Sequence, residues 1–418
     1  MSAEAHRATF FRQSGWLMIA NIAGGVLMWG VHFLSKKIPP AEYGVFGTML
    51  AVAMCIPTMP LQMVFAQQTA KALATKRERE LAGMIRLVWL GTFGVWLVSS
   101  AAVLFWQGRI LERMQIANPV GLWITLAVVL LSLWVPMFSG VLQGQQNFLW
   151  LGWTMMINGA GRLLVAAFVV LVLAGFAAGL MTGVLLGLVV AAAIAIWQTR
   201  TLWLMPSSPF DWRSLLKQVI PLMLGFGAFQ FMFTADTMFV KAYFTGDETG
   251  FYVSAGTLSR ALMWLVGPMA AVMFPRIVHS AVKAEKTDLM GVVLIGTAVL
   301  AAGGALGLCI LGPWVVRFVY SEAYVKIATS VMPWYAGAMV PLSLANVLIN
   351  NLLARSHFRV VPALVVLAAA YAFALTQFHD SLVTVLKTMG VCNLLLLGIC
   401  AWFTWGIEGK SPKSEVRS

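Results

Sequence analysis

Twelve long apolar stretches divide this 418-residue chain, and most of its charged residues lie in the gaps between them. Each stretch has about the 20 residues that a helix needs to cross a hydrocarbon layer. A spanning segment must be helical, because lipid cannot hydrogen-bond to free backbone groups. The chain is only 10% charged, whereas soluble domains carry about 25% charged residues. The sequence therefore predicts an all-α polytopic membrane protein.

The predicted spans form two sets of six that echo each other. They are 14–35, 44–66, 82–106, 119–142, 151–173 and 176–197, then 216–237, 250–274, 289–312, 328–352, 360–378 and 382–405. Glu42-Tyr43-Gly44 recurs as Glu248-Thr249-Gly250, Pro60 as Pro268, and Val135-Pro136 as Val340-Pro341. These offsets of 206, 208 and 205 residues indicate an internal duplication, which is common in transporters.

The longest non-apolar break separates the two sets. We expect an N-terminal lobe over residues 1–200, a cytoplasmic linker over 201–215, and a C-terminal lobe with a short cytoplasmic tail over 216–418. With six spans each, both lobes enter the membrane in the same sense. This arrangement predicts a pseudo-two-fold axis along the membrane normal.

Basic residues in alternate loops predict the orientation. Eighteen Lys and Arg residues fall on the side that holds the termini, and seven fall on the other side. By the positive-inside rule both termini are cytoplasmic. The net charge of +13 is assigned to anionic membrane lipid and not to nucleic acid, because no basic stripe is interleaved with aromatic residues.

Enzyme signatures are missing from the sequence. It contains no GxSxG, P-loop or HExxH motif, and no cluster of His, Cys and carboxylates with metal spacing. We therefore predict no catalytic residue, metal or cofactor. ATP-driven transport by this chain alone is disfavoured, because no nucleotide site is evident.

Charged residues inside spans are the main functional signal. Arg162 lies in the fifth span, Arg260 in the eighth, and Asp236 near the end of the seventh. A charge at the bilayer centre costs about 2.5–3.5 kcal/mol on insertion scales, so such residues usually face a cavity or a partner. The two arginines suit a cavity for phosphate, which guanidinium binds bidentately, and Asp236 could couple transport to an ion. The alternatives are a structural ion pair such as Asp236 with Arg260, or snorkelling to the interface.

Polar uncharged residues in the spans add weaker candidates. Asn158, Gln62, Asn346 and Asn350 could bind sugar hydroxyls, or could hydrogen-bond across helices as packing contacts. Asn158 precedes Arg162 by one turn, so both lie on one helix face. His32 could be a proton-linked site, because imidazole titrates near neutral pH.

Glycines at GxxxG spacing predict close helix packing within a lobe. Gly179, Gly183 and Gly187 form a tandem motif, and Gly140 and Gly144 form another. A dimer interface is the less favoured interpretation of this spacing.

Several short motifs resemble those of a known family. They are Asp236-Thr237-Met238-Phe239-Val240-Lys241, Asp247-Glu248-Thr249-Gly250-Phe251-Tyr252, Thr257-Leu258-Ser259-Arg260, Val272-Met273-Phe274-Pro275-Arg276, Pro39-Pro40-Ala41-Glu42-Tyr43-Gly44-Val45-Phe46, and Val141-Leu142-Gln143-Gly144 with Phe148. They resemble the polysaccharide-biosynthesis membrane proteins, the oligosaccharide-lipid flippases of the multidrug/oligosaccharidyl-lipid/polysaccharide exporter (MOP) superfamily.

The resemblance implies two six-helix lobes that open alternately to each face of the bacterial inner membrane. It also implies a polyprenyl-pyrophosphate-linked oligosaccharide as substrate, basic residues in the cavity, and ion coupling in some members. Asp236 matches the family's helix-end Asp, but the residue at the equivalent offset in the first half is Gly30.

The leading prediction is therefore a flippase for lipid-linked oligosaccharide in cell-surface polysaccharide synthesis. Its expected partners are membrane lipids and a polysaccharide polymerase or glycosyltransferase. One alternative is a cation-coupled multidrug or metabolite antiporter of the same fold. An alternative of another class is a membrane scaffold or glycan-modifying enzyme in a polysaccharide assembly complex.

Overall fold

The computed structural model describes the backbone of residues 3–282 and 289–406, and the side chains of residues 15–266 and 290–406. The α-helices are α1 (Ala3–Gly30), α2 (Pro40–Met54), α3 (Thr58–Ala74), α4 (Glu78–Phe105), α5 (Gln107–Arg113), α6 (Val120–Gly144), α7 (Phe148–Leu173), α8 (Phe176–Gln198), α9 (Arg200–Trp203), α10 (Trp212–Tyr243), α11 (Gly246–Val282), α12 (Leu289–Val319), α13 (Glu322–Ala354), α14 (Val361–Gln377) and α15 (Leu382–Ala401). Short 3₁₀ segments cover Val31–Lys37 and Phe358–Val360, and a π-helical turn covers Trp402–Gly406. The described part contains no strand, so the all-α prediction is confirmed.

Eleven helical segments of the described residues are long and apolar enough to cross a membrane. They match eleven of the twelve predicted spans. The remaining predicted span, 250–274, lies in α11, whose side chains from residue 267 onward are outside the described part. Pro268, the Phe274-Pro275 pair and the tail beyond residue 406 also lie outside it.

The second predicted span, 44–66, is confirmed as a span, but its helix is not continuous. The structure interrupts it between α2 and α3, at residues 55–57. Pro57 has no N–H for an intrahelical bond, and it disfavours helical dihedrals at the residue before it. Its ψ of 94° is extended, and α3 begins at the next residue. The two helices still form one apolar segment, Pro40–Ala74.

The chain divides into two compact units. Unit 1 comprises Met1–Met223 and Phe244–Gly250, and unit 2 comprises Leu224–Tyr243 and Phe251–Ser418. The lobe limits and the symmetry axis predicted from the sequence stay predictions.

In unit 1, α7 packs against α1 and α8, and α6 packs against α3 and α8. Glycines make these approaches close, as predicted from their spacing. A methyl group on Gly187 would lie 2.6 Å from the Asn158 carbonyl oxygen, and one on Gly140 would lie 2.5 Å from that of Gln62. Both GxxxG motifs therefore pack helices within one unit, which confirms that prediction.

The connection between the two halves lies along α4. After α9 the chain runs without helix to α10, and the Ser208 N–H donates to the Arg79 carbonyl at 3.1 Å. Gly83 leaves room for this segment, because a methyl group there would lie 3.2 Å from the Ser208 oxygen. In unit 2, α13 packs between α12 and α15 and carries many of the buried residues.

Candidate functional site

Arg162 is a cation inside the helix bundle of unit 1. It lies near the middle of α7 and is half-buried. Its Nε is buried and has no hydrogen-bond partner. None of the three ion pairs found among the described residues includes Arg162. A guanidinium with unused donors inside an apolar bundle is suited to an anion, because every donor it presents can only be satisfied by an acceptor.

Close backbone packing fixes the turn of α7 that carries Arg162. On one side, Gly183 and Gly187 of α8 face the backbone of Arg162 and Asn158. On the other side, a methyl group on Gly159 would lie 2.5 Å from the Gly24 carbonyl oxygen of α1. With neighbours against both faces, this turn has little freedom to move, so the base of the Arg162 side chain is well positioned.

His32 lies beside this turn in the 3₁₀ segment Val31–Lys37, which packs against α7. Its Nδ1 is 2.7 Å from the Tyr43 hydroxyl, and both residues are buried. Aromatic rings of Trp29 and Phe46 surround the imidazole. The segment that carries His32 and the helix that carries Arg162 pack against each other, so the structure places these two predicted candidates on neighbouring elements.

The other two candidates in unit 1 make contacts between helices. Asn158 points its amide nitrogen towards the sulfur of Met28 at 3.9 Å, which is a weak contact. Gln62 of α3 donates to the side-chain oxygen of Gln143 on α6 at 3.1 Å. The Gln62 contact is a cross-helix hydrogen bond, which the sequence analysis gave as the alternative to sugar binding. Sugar binding by Asn158 or Gln62 stays a prediction.

Unit 2 holds a buried network around Asp236, whose side chain is 0% exposed. One carboxylate oxygen accepts from Arg260 Nη2 at 2.7 Å. The other accepts from the hydroxyl of Tyr252 at 2.8 Å and from that of Tyr335. The network ties α10, α11 and α13 together, and it leaves neither carboxylate oxygen without a donor.

Arg260 is held by the same network through its Nε and Nη2. Its Nε donates to the Phe233 carbonyl at 3.1 Å, and its Nη2 also donates to the Thr237 hydroxyl at 2.8 Å. The guanidinium lies over the rings of Phe233 and Tyr335. The structural ion pair considered from the sequence is therefore present. A substrate contact of Arg260, and ion coupling through Asp236, stay predictions.

Asn346 and Asn350 bond to each other along α13. The Asn350 amide donates to the backbone carbonyl of Asn346 at 2.8 Å and to its side-chain oxygen at 3.0 Å. Both residues are half-buried. Their use in sugar binding stays a prediction.

Tyrosines are the site residues that the sequence-based candidates missed. Tyr43, Tyr252 and Tyr335 each contact one of the charged or imidazole groups, and six of the seven tyrosines in the chain are fully buried. Tyr43 and Tyr252 lie in the quoted family motifs, so their position in the sequence could have identified them. No local sequence feature identifies Tyr335, because its contact with Asp236 joins residues 99 positions apart.

No group of three or more His, Cys, Asp or Glu residues suited to a metal occurs among the residues described. A polar cavity of about 270 Å³ does lie in unit 1, where the α3–α4 turn meets the start of α10. Lys71, Arg77, Glu80 and Asp211 line it, so its formal charges cancel. Such a cavity shows no preference for a charged ligand.

The sequence matches a family model described as polysaccharide biosynthesis protein over residues 10–280. No curated protein matches it significantly. Among solved structures, the lipid II flippase MurJ in an inward closed conformation gives a TM-score of 0.69 at 12% identity, over 94% of this chain and 87% of that one.

Two further structures come from a multidrug resistance MATE family transporter of the MOP superfamily. The inward-facing conformation gives a TM-score of 0.62 at 11% identity, over 94% of this chain and 95% of that one. The outward-facing conformation gives a TM-score of 0.56 at 12% identity, over 95% of this chain and 93% of that one. At these identities the likeness shows the fold alone, and the family match over residues 10–280 confirms the predicted resemblance to polysaccharide-biosynthesis proteins.

Proposed function

Because the chain belongs to the polysaccharide biosynthesis protein family, we propose that it is a flippase for polyprenyl-pyrophosphate-linked oligosaccharide. It would act by alternating access in the bacterial inner membrane, with both termini in the cytoplasm and no catalytic chemistry of its own. The family match and the transporter fold support the general class. The choice of substrate rests on one observation, the buried Nε of Arg162 within the bundle of unit 1, which has no hydrogen-bond partner.

An unpaired intramembrane arginine is costly, so it needs a compensating ligand. The cost at the bilayer centre is about 2.5–3.5 kcal/mol on insertion scales. A pyrophosphate offers several anionic oxygens to a guanidinium, and charge-assisted hydrogen bonds of this kind are among the strongest in proteins. Arg162 therefore supplies a positive charge and N–H donors to a lipid-linked pyrophosphate inside the membrane. Arg260, by contrast, is already paired with the Asp236 carboxylate.

The remaining parts of the substrate would meet other groups. Half-buried amides such as Asn158, Asn346 and Asn350 can hydrogen-bond to sugar hydroxyls, and the polyprenyl tail can stay in lipid. A polysaccharide polymerase or a glycosyltransferase is the expected partner at the membrane. The lobes would be residues 1–200 and 216–418, joined by the linker 201–215.

A cation-coupled multidrug antiporter is the second candidate, because the fold is also that of MATE transporters. That activity needs a carboxylate free to exchange a cation, and the candidate is Asp236. Arg260 and two tyrosines already donate to both of its oxygens, so the Arg260 guanidinium occupies the place that an exchangeable cation would need. Efflux of cationic dyes from proteoliposomes under a proton gradient would favour this candidate.

The first test replaces Arg162. In reconstituted vesicles, Arg162→Ala should lower the flipping rate of a lipid-linked oligosaccharide about 10- to 100-fold, which corresponds to losing about 1.5–3 kcal/mol of charge-assisted bonding. Arg162→Lys should retain part of the rate, because it keeps the charge and loses the bidentate geometry. Membrane levels should stay unchanged.

Arg109→Ala is the matched control, because Arg109 is an exposed arginine on the short helix α5. It should flip at the normal rate. Equal rates for Arg162→Ala and Arg109→Ala would contradict the role assigned to Arg162.

A further inference from the structure

We propose that the polar cavity of unit 1, where the α3–α4 turn meets the start of α10, is a docking site for one neutral sugar unit of the substrate. The inference rests on the proposed function for the identity of the ligand, and it adds a site that Arg162 does not line. The cavity has a volume of about 270 Å³. Sites that enclose small-molecule ligands have volumes of about 300–1,000 Å³, so this one suits a single sugar unit and not a whole oligosaccharide.

Three helix ends form the walls of this cavity. The lining residues lie within 68–75 at the end of α3, 77–84 at the start of α4, and 210–218 at the start of α10. Within each stretch they recur at steps of three or four residues. Residues at this spacing share one face of a helix, so each helix turns a single face to the cavity.

Contacts between these walls fix the cavity before a ligand arrives. The Gln218 amide of α10 donates to the side-chain oxygen of Gln67 on α3 at 3.3 Å. On the other side, a methyl group on Gly83 of α4 would lie 3.4 Å from the ring of Phe210, so the ring packs directly on that helix. A site that is already formed loses less conformational freedom when it binds a ligand.

The charged groups of the cavity compensate one another. Arg77 donates through Nε and Nη2 to the two carboxylate oxygens of Glu80, at 2.7 and 2.6 Å. Asp211 accepts from the Ser214 backbone N–H at 3.1 Å, at the start of α10. Lys71 adds the second positive charge, so the two cations balance the two carboxylates. A charged ligand therefore gains no net attraction here.

The polar groups of the cavity match sugar hydroxyls. Eight of its thirteen lining residues are polar or charged, which favours a hydrophilic ligand. Among them, the amides of Gln68 and Gln218 carry both donors and an acceptor, and the Ser214 hydroxyl can also act as either. A sugar hydroxyl donates and accepts as well, so it can pair with each of these groups. A phosphate oxygen only accepts, and it would be repelled by the two carboxylates.

An apolar floor completes the match. Leu81, Met84 and Leu215 line the cavity and are buried, and the Phe210 ring lies beside them. A pyranose ring has C–H groups on its faces and hydroxyls around its edge, so it can pack on such a floor while its edge meets the polar walls. A small inorganic ion would make no use of the floor.

The place of the cavity agrees with this role. In the proposed orientation the basic α3–α4 turn, which holds Lys76, Arg77 and Arg79, lies on the cytoplasmic side. A flippase takes up its substrate from that side, where the sugars of a lipid-linked oligosaccharide are exposed before they cross. The cavity is therefore placed to meet the glycan first.

Protection of an introduced thiol tests the site directly. In a background that lacks Cys55, Cys309, Cys392 and Cys400, Thr75→Cys would place a thiol in the cavity wall of the purified full-length protein in detergent. We would measure its rate of reaction with N-ethylmaleimide in glucose, galactose or N-acetylglucosamine. Each sugar is used at about 50 mM, because a ligand of this size is expected to bind with a Kd of about 1–10 mM. At least one sugar should slow the reaction about fivefold or more.

Two controls make this result specific. Ala74→Cys, an exposed position on α3 outside the cavity lining, should react at the same rate with and without sugar. Inorganic phosphate at the same concentration should not protect Thr75→Cys. If none of the three sugars protects Thr75→Cys, or if they slow both thiols equally, the inference is overturned. Equal protection by phosphate would show an anion site and would overturn it too.

Gln68→Ala tests the hydrogen bonding. Added to Thr75→Cys, it should raise the sugar concentration for half-maximal protection about three- to tenfold, as expected for the loss of one or two hydrogen bonds. Its Tm and its reaction rate without sugar should stay unchanged, which a purely structural role would not allow. Gln377→Ala, an exposed glutamine in unit 2, is the matched control and should change neither quantity. An unchanged sugar concentration in Gln68→Ala would contradict the assigned contacts.

Flipping assays connect the cavity to the substrate and separate this inference from the proposed function. Gln68→Ala should raise the half-saturating concentration of lipid-linked oligosaccharide and leave the maximal rate unchanged, and no change in that concentration would overturn the docking role. If Arg162→Ala slows flipping while no sugar protects the cavity, only this inference fails. If a sugar protects the cavity while Arg162→Ala flips at the normal rate, the pyrophosphate site of the proposed function fails and the sugar site stands.

Discussion

At the scale of single residues, the two intramembrane arginines differ in their surroundings. Arg162 has no carboxylate partner in the described structure, whereas Arg260 and Asp236 form a buried pair with Tyr252 and Tyr335. Removing one member of a buried pair leaves the other charge without compensation. Asp236→Asn should therefore lower the free energy of unfolding by about 3–5 kcal/mol, measured by denaturation of the purified protein in detergent.

A second substitution and a surface pair serve as controls. Adding Arg260→Met should recover much of the lost stability, because it removes the uncompensated charge. Glu322→Gln breaks an exposed pair with Arg317, whose side chains are 70% and 62% exposed, and should leave the free energy of unfolding nearly unchanged. If Asp236→Asn cost no more than Glu322→Gln, the network would not stabilise unit 2.

The charged residues of the site could be predicted from the sequence, and most of their partners could not. A charge inside an apolar span is visible locally, so Arg162, Arg260 and Asp236 were identified, and the pairing of the last two was one of the stated alternatives. Tyr335 was missed because its contact depends on how α13 packs against α10, which no local pattern encodes. The unpaired state of Arg162 likewise became evident only from the structure.

At the scale of elements, glycines decide how close α8 lies to α7. A methyl group on Gly183 would overlap the Arg162 carbonyl oxygen and would lie 2.7 Å from Ala166. Gly183→Ala should therefore destabilise the protein by about 1–3 kcal/mol, the usual cost of overpacking, and should also weaken pyrophosphate binding. Gly94 is the matched control, because a methyl group there meets nothing within 4 Å. Gly94→Ala should leave both stability and binding unchanged.

An equal tolerance of Gly183→Ala and Gly94→Ala would contradict the packing role of the tandem motif.

The helices and the two GxxxG contacts were predictable from the sequence, because hydropathy and residue spacing are local properties. The interruption at Pro57 was missed, because the hydropathy of that span is continuous and gives no sign of a break. The backbone preference of proline was the signal that should have divided it.

At the scale of the whole molecule, a short segment of the second half packs in unit 1. The segment Phe244–Gly250 contains the α10–α11 turn and the first residues of α11, yet it groups with the first half of the chain. Asp247 accepts from the Ala41 backbone N–H at 3.1 Å, and a methyl group on Gly44 would lie 2.9 Å from the Gly250 nitrogen. The sequence showed that these two turns are duplicates, but not that they meet, because internal symmetry alone does not specify contacts.

This contact gives a direct test of alternating access. If transport requires the turn at Asp247 to separate from α2, a covalent link between them should stop it. In a background lacking Cys55, Cys309, Cys392 and Cys400, all free thiols, the pair Ala41→Cys and Asp247→Cys should form a disulfide under oxidation and reduce flipping at least tenfold. Reduction should restore the rate, and each single substitution should remain active. Full flipping by the cross-linked protein would mean that this turn stays docked throughout transport, and that any opening occurs elsewhere.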